Sequence, residues 1–163
     1  MPGHHYSFRI HTEKDLFRKL EQEFKDFEAD QTSSRHAINF AMTAWHLREW
    51  AWGLRLKNDD REQQRLFGRI FKDCKDFDKH LLALCDELGI MQEVTNGSKH
   101  LDSKIKEAVA DTFVASTINL DVSRGYPTET PLHAQVTLTD GRTVPFIQVA
   151  RTVLEFWRSK FSI

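Results

Sequence analysis

The chain has 163 residues, a formal net charge of −1 at neutral pH, 29% charged and 40% hydrophobic residues, 7 glycines and 4 prolines. That length suits one domain with one hydrophobic core, and the composition is that of a folded, helix-leaning protein rather than a disordered tail. A balance so close to neutral gives no global positive field for nucleic acid or an anionic membrane, and two cysteines, Cys74 and Cys85, are too few for a disulfide scaffold.

The N-terminal segment MPGHHYSFRI lacks the apolar core of a signal peptide, and no stretch has the length and apolarity of a membrane span. A cytoplasmic protein with no membrane partner is expected. Thr12 is a natural N-cap, followed by Glu13 and Asp15, so a first helix is predicted to about Ala29 with Leu16, Phe17, Leu20, Phe24 and Phe27 on its core stripe. A second helix is predicted over 35–56. Ile38, Met42, Trp45 and Trp52 recur on one side of it and Phe40, Ala44, Leu47, Ala51 and Leu54 on another, the pattern of a helix at the centre of a fold.

A third helical stretch restarts at Asp59 or Asp60 and carries apolar periodicity to Leu88, either unbroken or divided near Asp73–Asp76, and Gly89 fits a stop. Asn96-Gly97 reads as a further break, with a short helix over 98–108. Beyond it Val114, Ser116, Ile118, Leu120 and Val122 alternate as a strand, Arg124–Pro131 reads as a loop, and 132–147 as a hairpin turning at Asp140-Gly141. A three-residue turn with Gly141 left-handed sets Val136 opposite Val144 and Ala134 opposite Phe146. A final helix over 148–161 presents Val149, Val153, Leu154, Trp157 and Phe161 on one face. The expected fold is therefore α+β and one domain over 1–163: four to five helices over about 12–108, a three-stranded antiparallel β-meander over about 112–147, and a terminal helix.

Within the second helix Asn39, Thr43, His46 and Trp50 follow the i, i+4, i+7, i+11 pattern and share one polar face. Each polar group buried without a partner costs about 1–3 kcal/mol, so these side chains must meet neighbours or line a cleft. The plainer account is a satisfied polar layer; the functional one is a ligand site. The segment Asn96-Gly97-Ser98-Lys99-His100 adds groups that donate, accept and carry charge. His46 and His100 are the candidate acid–base pair, Asn96 a candidate orienting group and Lys99 a candidate anion holder. Its plainer account is a helix stop with a cap and a surface histidine.

Metal ligation is not expected. Cys74 and Cys85 would lie about 16 Å apart along a continuous helix, and His46 and Glu49 reverse the order of the di-iron helix motif without a second copy. Both thiols fit the apolar stripe as core groups, no cofactor is implied, and no phosphate loop or dinucleotide fingerprint is present. Trp45, Trp50 and Trp52 distribute around the second helix, which suggests a homodimer or a protein partner through that helix.

The pairing of TAWHLREW, Thr43 to Trp50, with NGSKH, Asn96 to His100, resembles segments of small bacterial and phage proteins. At the level of architecture the first two thirds also resemble the HEPN superfamily, helical bundles that include dimeric, metal-independent ribonucleases of toxin and defence systems. Asn96 and His100 match that family's polar residue and histidine, and Thr95 stands where it carries arginine. Two functions are thus carried forward beside a small-molecule sensor with its pocket between the central helix and the sheet. The leading one is a non-catalytic, dimeric interaction or regulatory module; its alternative, implied by the resemblance, is a ribonuclease in which His100 is the general acid or base, Asn96 orients phosphate, and Lys99 or His46 stabilises charge. RNA is a partner only under that alternative.

Overall fold

A computed structural model describes residues 8–99, 108–116, 118–121, 126–129 and 131–161. It is an α+β fold, mostly helical, in the order α1 (Glu13–Ala29), α2 (Ser34–Ala51), α3 (Asp60–Phe67), α4 (Cys74–Leu84), α5 (Glu87–Lys99), β1 (Val109–Ala115), β2 (Ile118–Asp121), β3 (Tyr126–Glu129), β4 (His133–Leu138), β5 (Thr143–Pro145) and α6 (Phe146–Phe161). Helix α1 starts where its sequence demands. Thr12 Oγ1 accepts from the Asp15 N–H at 3.1 Å, and the Asp15 carboxylate accepts from the Thr12 N–H at 3.1 Å, a reciprocal capping box. Leu16, Leu20, Phe24 and Phe27 are buried along its inner face.

Helix α2 occupies the centre. It packs against α1, α5 and α6, and Phe40, Ala41, Ala44, Leu47 and Ala51 are fully buried. It ends in a π-helical turn, Trp52–Leu56, closed by the Lys57 N–H donating to Trp52 O at 2.9 Å. That wider turn changes which residues face inward: Leu54, expected on the core stripe, is 59% exposed, and Leu56 takes the buried position.

The stretch 60–88 is divided. Gly68 stops α3 at φ +71°, a left-handed conformation that favours glycine, and Asp73 caps α4 by accepting from the Asp76 N–H at 2.8 Å. Two expected breaks are absent. Gly89 lies in the first turn of α5, and Asn96-Gly97 lies inside its last turns. Glycine lowers helix stability by about 1 kcal/mol, which tertiary burial of Leu88, Ile90, Met91 and Thr95 on the same helix overrides.

The three-stranded antiparallel sheet has the order β1-β4-β5, and α6 packs on β4 and β5 as well as on α1, α2 and α5. Val136 faces Val144, Gly141 has φ +87°, and the Leu138 N–H donates to Arg142 O at 2.7 Å across the three-residue turn. The ladder stops at Gln135↔Pro145; Phe146, expected opposite Ala134, already begins α6. Between β1 and β4 the chain inserts a second, two-stranded sheet, β2-β3, so Tyr126–Glu129 is a strand rather than loop. Proline has no N–H to donate, which a two-stranded ribbon tolerates because each strand leaves one edge unpaired. Glu93 of α5 fixes the entry to the sheet, accepting from the N–H groups of Ala108 and Val109 at 2.7 and 2.8 Å.

Candidate functional site

The polar face of α2 opens onto a cleft of about 400 Å³. All four residues expected on that face, Asn39, Thr43, His46 and Trp50, line it together with Met42 and Glu49. Its opposite wall comes from Ile10, Leu16 and Lys19, so the groove runs between α2 and the α1 side of the bundle rather than between α2 and the sheet. A second cleft of about 400 Å³ does touch the sheet, beside Asp86, Ala108, Asp140 and Gln148, but no residue of α2 lines it.

Thr43 is the most deeply placed of the four, at 5% exposure. Its hydroxyl accepts from Lys19 Nζ at 2.7 Å, and the same ammonium donates to Glu23 Oε1 at 2.6 Å. The lysine is therefore held across the floor of the cleft with its charge balanced. Asn39 is half-buried and its amide makes no hydrogen bond among the described residues. Trp50 adds a half-buried indole, and Ile10, Leu16 and Met42 complete an apolar lining.

His46 meets the second segment. Lys99, in the last turn of α5, places Nζ 3.3 Å from His46 Nε2. An ammonium only donates, so Nε2 accepts and the imidazole proton sits on Nδ1. Burial lowers the His46 pKa below its usual 6.5, and the Lys99 charge lowers it further, against an opposing pull from Glu49. The ring at the cleft edge is neutral at pH 7.

The chain matches no known protein family, no curated protein and no solved structure. The site must be argued from its own geometry. Asn96 lies one turn before Lys99 on α5, and the structure records no contact between its amide and His46. His100 lies outside the described residues. Thr95, at the position that the HEPN resemblance gives to arginine, is fully buried with its hydroxyl unpartnered. That place belongs to the interior.

Of the other lining residues, Leu16 and Met42 read as core stripe in the sequence, and Lys19 and Ile10 carried no site signal. Lys19 was one charged residue of an amphipathic helix, and Ile10 stood before the first helix; only the fold brings them opposite α2. The tryptophans are less available than their spacing suggested. Trp45 is 5% exposed beneath the Arg48 guanidinium, 4.1 Å from its ring centroid, and Trp52 stacks on Phe77 at 5.6 Å. Of the two thiols expected in the core only Cys85 is there, where burial pushes it up to about 12; Cys74, at the first position of α4, is half-buried, and burial with the Asp78 charge pushes it up as well.

Proposed function

We propose that this protein is a non-catalytic, ligand-recognising regulatory module whose α1–α2 cleft binds a small molecule with an apolar body and a polar or anionic end. One observation carries the reading: Asn39, Thr43, His46 and Trp50 share one solvent-reachable groove with Lys19, and the Asn39 amide there is uncommitted. Pockets that are mostly apolar with a few convergent polar groups are what small-molecule sites require. A ligand would seat its body against Leu16, Met42 and Trp50 and direct its polar end to Asn39, the Lys19 ammonium and the neutral His46 ring.

The test is a thermal-shift screen of amphipathic carboxylates and phosphate esters, with hits confirmed by calorimetry. A ligand of this cleft stabilises the wild type by about 2.7 kcal/mol at a hundredfold excess over Kd. That stabilisation falls at least tenfold in affinity in Asn39→Ala and His46→Ala. Hits that bind both variants unchanged would place the ligand elsewhere and end the proposal.

The contact between His46 and Lys99 keeps the ribonuclease alternative in play, because it brings together the two side chains that reading names for stabilising charge. Incubation of the pure protein with total RNA in EDTA separates the two. Cleavage that is lost in His100→Ala and in His46→Ala favours the enzyme, whereas intact RNA at high protein concentration favours the module.

Among the described residues no helix is long and apolar enough to cross a membrane, and a cytoplasmic location is part of the proposal. So is a homodimer through the second helix. With Trp45 and Trp52 engaged inside the protomer, its contact surface would be Leu54 and the open edge of Trp50. A sedimentation series that stays monomeric up to high micromolar concentration counts against it.

A further inference from the structure

The polar stripe of α2 extends one turn further toward its N-terminus than the cleft. His36 stands three residues before Asn39 and seven before Thr43, which puts it on the same face, toward α1. There α1 presents Glu23 and Asp26, three residues apart. One donor atom from each of Glu23, Asp26 and His36 lies within 4.8 Å of the others.

We propose that Glu23, Asp26 and His36 form a binding site for a divalent first-row transition ion, with Zn²⁺ as the best match. The donor set is one imidazole and two carboxylates, a mixture that suits zinc and manganese better than an all-oxygen calcium site. Three protein ligands leave a coordination position for water or an anionic ligand.

Burial supplies an observation independent of the cluster's composition. The Nδ1 atom of His36 is enclosed and has no hydrogen-bond partner among the described residues, while Nε2 faces the Arg35 guanidinium at 3.4 Å. A buried ring nitrogen without a partner is a cost the fold would otherwise avoid. The Glu23 side chain is itself only 14% exposed. Each carboxylate gives one oxygen to a neighbour, Glu23 to Lys19 at 2.6 Å and Asp26 to Gln22 at 2.8 Å, and the second oxygen of each makes no hydrogen bond among the described residues.

Lys19 offsets one of the two carboxylates, and the Arg35 guanidinium stands beside the ring on its Nε2 side, so a bound cation would meet two carboxylates and two nearby cations. Asp30 also lies near enough to interact with His36, and its Oδ1 accepts from the Thr32 hydroxyl at 2.7 Å. Zinc holds oxygen and nitrogen donors at about 2.0–2.2 Å, so its ligand atoms sit about 3–3.5 Å apart. Atoms already within 4.8 Å of one another would have to close by at most about 1–2 Å to reach that spacing.

The site does not depend on what the cleft binds. The experiment is calorimetric titration of the full chain with Zn²⁺ alone and with Mn²⁺ alone, in a background carrying His4→Ala and His5→Ala so that the N-terminal pair cannot contribute. One equivalent of zinc is expected with a Kd in the micromolar range or tighter, with manganese weaker. Affinity should fall at least tenfold in His36→Gln and in Glu23→Gln. Because a variant can disturb the fold, a second measurement uses the unaltered side chains: Co²⁺ should shift and broaden the ring resonances of His36 and leave those of His80 sharp. No binding in the His4→Ala/His5→Ala background, undiminished binding in His36→Gln, or an unperturbed His36 ring would each overturn the assignment.

Discussion

Two regions of this protein bury polar side chains against aromatic and aliphatic neighbours, and they answer them differently. At the junction of α3 and α4, Gln63 is 1% exposed and both ends of its amide are used: Nε2 donates to Leu56 O at 2.8 Å and Oε1 accepts from the Phe71 N–H at 2.7 Å. Along the α1 side of α2, Thr43 is answered by Lys19, but among the described residues nothing answers the Asn39 amide or the His36 Nδ1 atom. A side chain whose amide is spent at both ends on backbone groups is architecture. One held half-buried at the edge of a groove with bonding capacity left over is available to a ligand.

The sharpest way to break this contrast is to substitute Gln63. Gln63→Leu keeps the volume but leaves the buried Phe71 N–H without an acceptor, while the Leu56 carbonyl keeps its bond from the Asp59 N–H at 2.9 Å, so a loss of about 1–3 kcal/mol is expected in urea unfolding. A loss well below about 1 kcal/mol would show that water reaches the Phe71 N–H. Asn39→Leu should change stability by less than about 1 kcal/mol, because no protein partner is orphaned.

The next effect is electrostatic and belongs to the same end of the molecule. Glu62 accepts from Arg65 Nε at 2.7 Å and Arg55 Nε at 2.6 Å, and these bonds, Arg65 first, hold its carboxyl well down, at about 2 against the usual 4.5. Its folded pKa lies below the unfolded one, so its contribution is complete above pH 4.5 and disappears as pH falls from there toward 2. Arg65 is 59% exposed and solvent screens the pair, which reduces the expected contribution to about 1 kcal/mol. Glu62→Gln should lower stability by that amount at pH 7 and flatten the dependence between pH 4.5 and 2. An unchanged slope would assign the acid limb to other carboxylates.

These cases also show what sequence makes legible. The cap at Thr12, the register Val136↔Val144 and the inward face of α6 are local matters of period and turn chemistry, and each could be read directly. So could the stripe Asn39, Thr43, His46, Trp50, because it lies within one helix. The partners of that stripe could not. Lys19, Glu23 and Asp26 look like ordinary solvated positions on α1 until α2 is laid against them, and His36 acquires meaning only beside those carboxylates. The breaks expected at Gly89 and Asn96-Gly97 failed for a related reason: a glycine's local preference for ending a helix is weaker than the burial of α5 against α2 and α6. The π turn after Trp52 has no local signature at all, and it alone decides that Leu56 rather than Leu54 is core.

A smaller effect tests the floor of the cleft. Thr43→Val keeps the shape and removes the acceptor for Lys19, which retains Glu23. Unfolding free energy should fall by no more than about 1 kcal/mol, because the ammonium remains paired and half-exposed. Binding in the cleft, by contrast, should weaken, since the lysine is no longer fixed in the direction of the groove. A large stability loss with unchanged binding would return Thr43 to the architectural class of Gln63.

The finest probe is the titration of His46, because it reads the α2–α5 contact without altering the cleft wall. Its folded pKa is lowered, by burial first and by Lys99 second, so the stabilisation linked to this ring is present above the unfolded pKa near 6.5 and is lost as pH falls through the folded value. Lys99→Met removes the second cause and leaves the first. The ring resonance followed by NMR should then titrate at higher pH than in the wild type, yet still below 6.5, because desolvation persists. A titration that does not move on removing Lys99 would mean that the 3.3 Å contact does not persist in solution, and the two sequence segments would lose the one contact recorded between them among the described residues. A wild-type ring already titrating at 6.5 would mean that the cleft is wetter than its geometry indicates, and His46 would then be an ordinary surface group with no preference for the neutral form that a ligand would meet.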